Sequence, residues 1–154
     1  MSRHRWIKGE GLEGSMATPE IGVCSWSVQA KSIPELRKLA SEVGAAVIHV
    51  ALGDPNHASW EEGSGFLNAL KESHLEISGT MIGFPGEDYT SPQTIKATGG
   101  FGDPATREER LKIFKKAVDM TAELELELPI LSSHAGFIPL PGDPERGPLL
   151  DCLY

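Results

Sequence analysis

The stretch Ala46-Val47-Ile48-His49-Val50-Ala51-Leu52 restricts the fold of this chain more than any other. It is apolar apart from one histidine. A run of this kind, bounded by glycines, reads as a strand covered on both faces, and such strands belong to parallel sheets with helices packed over them. Alternation puts Val47, His49 and Ala51 on one face and Ile48, Val50 and Leu52 on the other. With the bulkier trio against the helices, His49 points into the interior of the fold. A ring there is either hydrogen-bonded to the backbone or part of a site.

The rest of the chain repeats this strand–helix grammar. Ile21 to Ser27 is strand-like in its first half and turns polar and aromatic, with Trp26, in its second. A helix follows from Ser32 to Val43, with Ser32 and Glu35 as a capping box, Pro34 in the first turn and Gly44 as the stop. Ile33, Leu36, Leu39, Ala40 and Val43 form its apolar stripe. After the second strand, Gly53 to His57 is rich in turn formers; Asp54 and His57 there line either a cleft or a solvated loop. Ser59 and Glu62 offer a second capping box, for a helix reaching about Ser73 and burying Phe66, Leu67 and Leu70.

Ile77 to Phe84 is a third strand whose Ser78, Gly79 and Thr80 point to close backbone approach. Residues 83–105 carry no clear period, and their acids, Tyr89 and glycines fit a lid over a site. Thr106 and Glu109 open a long helix with Leu111, Phe114, Val118, Ala122 and Leu124 on its buried side and a charged, solvated opposite face. Leu128 to Phe137 then reads as a buried strand with Pro129 at its start. Ile130, Ser132 and His134 share one face, and Leu131, Ser133 and Ala135 the other. A proline-rich tail closes the chain.

Strands alternating with helices imply parallel pairing and crossover connections. A doubly wound sheet and a (β/α)8 barrel both obey that rule. No Gly-rich phosphate cradle follows the first strand, which counts against a nucleotide fold. A barrel takes about 250 residues, so 154 residues hold roughly half of one. Pattern alone sets the expected fold class as α/β, parallel strands with helices outside, and leaves a doubly wound sheet and a partial (β/α)8 TIM barrel of four βα units both open. Residues 1–20, glycines among charges without hydrophobic period, read as a flexible leader, and residues 21–154 as the α/β domain.

Charge and cysteine usage narrow the partners. A formal net charge of −8 argues against a phosphate-backbone binder, which needs a basic face. Two cysteines, Cys24 and Cys152, cannot build a disulfide framework, so a reducing, cytoplasmic setting is expected. No apolar run reaches the roughly 18 residues of a membrane span, and no apolar segment follows the basic N-terminus as a secretory signal would require.

Three motifs add a resemblance. Gly22-Val23-Cys24-Ser25-Trp26-Ser27, then Gly86-Glu87-Asp88-Tyr89 with Thr98-Gly99-Gly100, and Ser133-His134-Ala135-Gly136-Phe137 resemble sugar phosphate isomerase/epimerase proteins of the xylose isomerase-like TIM-barrel superfamily. The likeness runs from about residue 21 to 137. It implies that this chain is a partial (β/α)8 TIM barrel, its first four βα units, and that the full barrel acts on a sugar, sugar phosphate or polyol, with a divalent cation (Mn, Mg, Co or Zn) and a carboxylate that moves a proton beside a carbonyl. The metal ligands of such barrels, typically Glu, Asp, His and Glu, sit on later strands, so no metal ligand and no catalytic base is assigned to this chain.

What the resemblance does assign is substrate contact. His134 matches a strand-end histidine on the substrate side, Trp26 walls the pocket and Glu87 lies in the lid segment with Tyr89. His49 joins them as an interior-facing candidate. Each has a plainer reading: a core histidine at His134 or His49, an aromatic plug at Trp26, a solvated acid at Glu87. One departure stands at Glu125 and Leu126, where members of the family often break the helix with glycine. The expected function is a sugar (phosphate) isomerase or epimerase, inactive as this half alone. The alternative is a non-catalytic half-barrel that forms a homo-oligomer, binding carbohydrate or serving as a scaffold. A third reading, an abasic-site endonuclease of the same superfamily, conflicts with the acidic balance and with the shortage of metal-ligating histidines.

Overall fold

In the computed structural model, four parallel strands form one sheet in the order β1-β2-β3-β4, with helices between them. The elements are β1 (Gly22–Cys24), α1 (Ile33–Glu42), β2 (Val47–Ala51), α2 (Ser64–Glu72), β3 (Ile77–Ile82), α3 (Pro92–Thr98), α4 (Pro104–Glu123), β4 (Leu131–Ser133) and α5 (Arg146–Leu153). The structure describes residues 21–52 and 64–154. The leader at 1–20, and the features read at Asp54, His57, Ser59 and Glu62, lie outside the described residues.

Local chemistry explains most boundaries. Ser32 caps α1 by accepting the Glu35 N–H at 3.3 Å, while the Glu35 carboxylate reaches the Lys31 N–H at 2.8 Å. The predicted capping box is thus half formed: Glu35 satisfies the amide one residue earlier. Ile33, Leu36 and Ala40 are buried and Leu39 is partly so, but Val43, the C-cap, is 57% exposed. On β2, Ile48, Val50 and Leu52 are buried in the core with Phe66, Leu67 and Leu70 of α2, as the alternation required.

The long segment after β3 departs from expectation. It holds a seven-residue helix, α3, with no buried residue. No apolar stripe exists there to be read. Caps build the helix instead: the Ser91 hydroxyl accepts the Thr94 N–H at 3.1 Å, the Thr94 hydroxyl accepts the Ser91 N–H at 3.1 Å, and Pro92 occupies the first turn.

Helix α4 also differs. It starts at Pro104, capped by Asp103, whose carboxylate accepts the Ala105 N–H at 2.9 Å, rather than at Thr106. Its buried residues are Arg110, Ala117 and Thr121, followed by Leu124, with Leu111 and Phe114 partly buried. Val118 and Ala122 are exposed. The helix is turned because its core-facing side includes two hydrogen-bonded polar residues. Thr121 Oγ1 lies 2.7 Å from Thr80 Oγ1 on β3, and Thr80 is also 3.1 Å from the Ile130 carbonyl, so buried hydroxyls join α4 and β3 to the start of β4.

The run from Leu124 to Leu128 is not a strand. Helix α4 ends at Glu123 with Leu124 as its C-cap, and Glu125 adopts φ +53°, the left-handed conformation that usually falls to glycine after a helix. The expected buried strand from Leu128 shrinks to Leu131–Ser133, with Leu128 66% exposed, because among the described residues β4 is a sheet edge paired only with β3. Helix α5 closes the described chain and buries Leu149 completely.

The left-handed Glu125 generates a prediction. Glu125→Gly removes a Cβ penalty of about 1–2 kcal/mol and adds back part of it as unfolded-state entropy. The variant is expected to be more stable by about 0.5–1 kcal/mol in urea denaturation. A loss of stability would contradict this account of the helix stop.

Candidate functional site

Strand ends build the site. Beyond β1 the Ser25 N–H donates to the His49 carbonyl at 3.0 Å, and the buried Ser25 hydroxyl accepts the Ala51 N–H at 2.9 Å. These bonds carry the chain past the sheet and set Trp26 over the end of β3. A Cβ at Gly83 would stand 3.0 and 3.3 Å from Trp26 ring carbons and 3.3 Å from Glu87 Oε2, so the indole and the carboxylate both pack closely on the Gly83 backbone. The Trp26 Nε1–H is buried and has no hydrogen-bond acceptor among the described residues. A buried donor left in that condition costs free energy until something accepts from it.

Glu87 is occupied on both oxygens. Oε2 accepts from the Phe84 N–H at 2.8 Å and the Tyr89 hydroxyl at 3.0 Å, and Oε1 accepts from the Gly100 N–H at 2.7 Å. Partial burial, then the Glu87 charge and the hydrogen bond to it, push the Tyr89 phenol up to about 12. The Tyr89 ring meets the His134 imidazole edge-on, centroids 6.2 Å apart. His134 is walled in turn by Gly99, where a Cβ would lie 2.7 Å from Nδ1. Trp26, Glu87, Tyr89 and His134 therefore form one continuous lip across the C-terminal ends of β1, β3 and β4.

His49 is not part of that lip. Its Nε2 lies 2.7 Å from the Thr80 carbonyl oxygen, which can only accept, so Nε2 carries a proton. It faces Gly79, the partner of His49 across the sheet and four residues before Gly83, and is level with Cys24, two residues before Trp26, so it lies deeper along the strands than the lip. The same inner face holds Cys24 and Met81, sulfur to sulfur at 3.0 Å.

The residue that sequence reasoning missed is Arg110. Its side chain donates to the carbonyls of Thr98 at 2.7 Å, Pro85 at 3.1 Å and Gly100, and its guanidinium lies 5.5 Å over the Phe84 ring. On the sequence it passes for part of a solvated charged face. One signal was present: Arg110, Phe114, Ala117, Thr121 and Leu124 recur at helical spacing.

No family model and no curated protein sequence matches this chain. Among solved structures, it resembles a xylose isomerase domain protein from Planctomyces limnophilus with a TM-score of 0.65 and 21% identity. The likeness covers 86% of this chain and 47% of that one. This chain has an α/β fold of parallel strands and helices that matches about half of that structure, as a partial (β/α)8 barrel does. Its lip thus occupies the end of the strands where barrels of this architecture place their sites. Among the described residues no three His, Cys, Asp or Glu side chains converge to hold a metal ion, so the cation implied by the resemblance finds no ligand set there. No helix among them is long and apolar enough to cross a membrane.

The raised Tyr89 predicts a pH dependence. The folded chain holds this proton up to about 12, whereas the unfolded chain releases it around 10. Between those values the folded state binds more protons, so stability is unaffected below about pH 10 and falls as the pH rises toward 12. Glu87→Gln removes the charge and should shrink that fall in urea titrations at pH 9 and 11. An unchanged fall would separate Tyr89 from Glu87.

Proposed function

We propose that this chain supplies the substrate lip of a barrel that isomerises or epimerises a sugar or sugar phosphate by proton transfer beside a carbonyl, and that the half-barrel alone binds sugar without converting it. The observation that carries this reading is the joint position of Trp26 and His134 on one rim, linked by the packing of the indole and Glu87 on Gly83, the Tyr89–Glu87 hydrogen bond and the edge-on contact of Tyr89 with the imidazole. An indole offers a flat apolar wall, which suits the apolar face of a sugar ring. The imidazole of His134 adds a group that donates or accepts. Glu87 serves by holding the rim rather than by touching the sugar, since its carboxylate already accepts three hydrogen bonds.

In this reading the divalent cation (Mn, Mg, Co or Zn) and the carboxylate base belong to barrel strands beyond the matched half. We assign the protein to the cytoplasm, a setting supported by two unpaired cysteines, and assign it no nucleic-acid partner on account of its charge of −8. A second reading, a half-barrel that pairs with another copy, is favoured by one observation. Among the described residues β1 and β4 each pair on one side only, with Leu128 and Ile130 exposed beside the latter.

The test uses the three tryptophans. With Trp6→Phe and Trp60→Phe, Trp26 is the only indole, and its fluorescence is expected to change saturably with ketoses, aldoses or their phosphates at millimolar concentration. His134→Ala should weaken that binding at least about tenfold. No saturable change with any of them would remove the lip as a sugar site, and turnover by the chain alone would end the claim of inactivity. Light scattering decides the second reading: a monomer at high concentration excludes it.

A further inference from the structure

We propose that Arg110 is a positioning residue for His134: together with Glu87 it grips Gly100 from both sides and fixes the imidazole against Tyr89 before any ligand arrives. Segment 83–105 is then a fixed wall of the site, not the lid its composition suggested. The proposal rests on the sugar-binding reading of the lip.

The argument begins with satisfaction of buried polar groups. Residues 83–105 have only the short α3 to absorb their N–H and C=O groups. Glu87 Oε1 takes the Gly100 N–H, and Arg110 donates to the Gly100 carbonyl, so one residue is held at both of its polar ends by opposite charges. Gly100 sits at φ +57°, and a Cβ there would collide with the His134 carbonyl oxygen and the Gly136 nitrogen. The backbone of Gly100 therefore lies directly on the backbone that carries His134. The next residue continues the contact, with the Phe101 N–H donating to the Ala135 carbonyl at 3.1 Å. Gly99, one residue earlier, abuts the imidazole itself.

Arg110 does more than fill space. It is only 4% exposed, yet its three acceptors, the carbonyls of Pro85, Thr98 and Gly100, come from both limbs of the segment. A planar fork of fixed donors can tie these limbs at once, whereas a lysine ammonium cannot reproduce the geometry. Glu87 closes the same loop from the other side through the Phe84 and Gly100 amides. Anything that opened this segment as a lid would have to leave a buried guanidinium and several amides without partners.

The decisive readout is the ionisation of Tyr89. In a Tyr154→Phe background Tyr89 is the only tyrosine. A stopped-flow jump to pH 11 then reads its absorbance before unfolding. With Tyr89 pushed up to about 12, roughly a tenth of the phenol is ionised in the parent. The Arg110 charge by itself favours ionisation. If Arg110 acts only as a nearby charge, Arg110→Met lowers the ionised fraction. If it holds the clamp, Arg110→Met frees Tyr89 from Glu87 and the ionised fraction rises above that of the parent. The rise is expected, with sugar affinity at Trp26 reduced at least about tenfold, and with Arg110→Lys failing to restore either.

A fall in ionisation, or full rescue by lysine, overturns the proposal. Should the methionine variant not fold, amide exchange in the parent decides: the Gly100 N–H is expected to be protected like a core strand amide, and exchange at loop rates refutes the clamp. Sugar binding by the parent is measured separately. A protected Gly100 in a chain that binds no sugar would leave the clamp standing and remove the sugar reading.

Discussion

A guanidinium and a carboxylate meet on a single glycine, and the geometry of the lip depends on that meeting. Segment 83–105 is long and lies across the strand ends with little regular structure of its own. Its backbone groups would be stranded there without side chains to take them. Arg110 takes three carbonyls and Glu87 takes two amides, so the two charged residues substitute for the hydrogen bonds of a sheet or long helix. Through Gly100 the tie passes to the chain around His134, and through the hydroxyl of Tyr89 to the ring beside it.

The sheet beneath uses a smaller version of the same device. Thr80 is wholly buried, and its hydroxyl joins Thr121 on α4 and the Ile130 carbonyl at the start of β4. Edge strand β4 is only three residues long and has one neighbour, so its own ladder is short. The threonine pair adds a side-chain connection from the helix layer to the approach of that strand. Both devices place hydrogen-bonded polar groups inside the fold, where they fix position at the expense of an apolar contact.

A half ring has consequences for the site. The lip gathers side chains from β1, β3 and β4, so four strands suffice to place an indole and an imidazole on one rim. In the proposed function the base and the cation that proton transfer beside a carbonyl requires belong to strands beyond the matched half, and this chain contributes the rim.

The sequence by itself determined the architecture and much of the rim's membership. Alternating strand and helix signals forced a parallel sheet, the trio Ile48, Val50 and Leu52 went to the core, and the motifs that carry the family resemblance singled out Trp26, Glu87 and His134. Tertiary structure alone decided the phase of α4, the presence of α3 and the separation of His49 from the lip. Periodicity reports apolar faces, and it is blind to a buried arginine or threonine whose partners are distant backbone carbonyls. A helix made by caps carries no stripe, and depth along a strand depends on register between chains of residues that the local sequence does not encode.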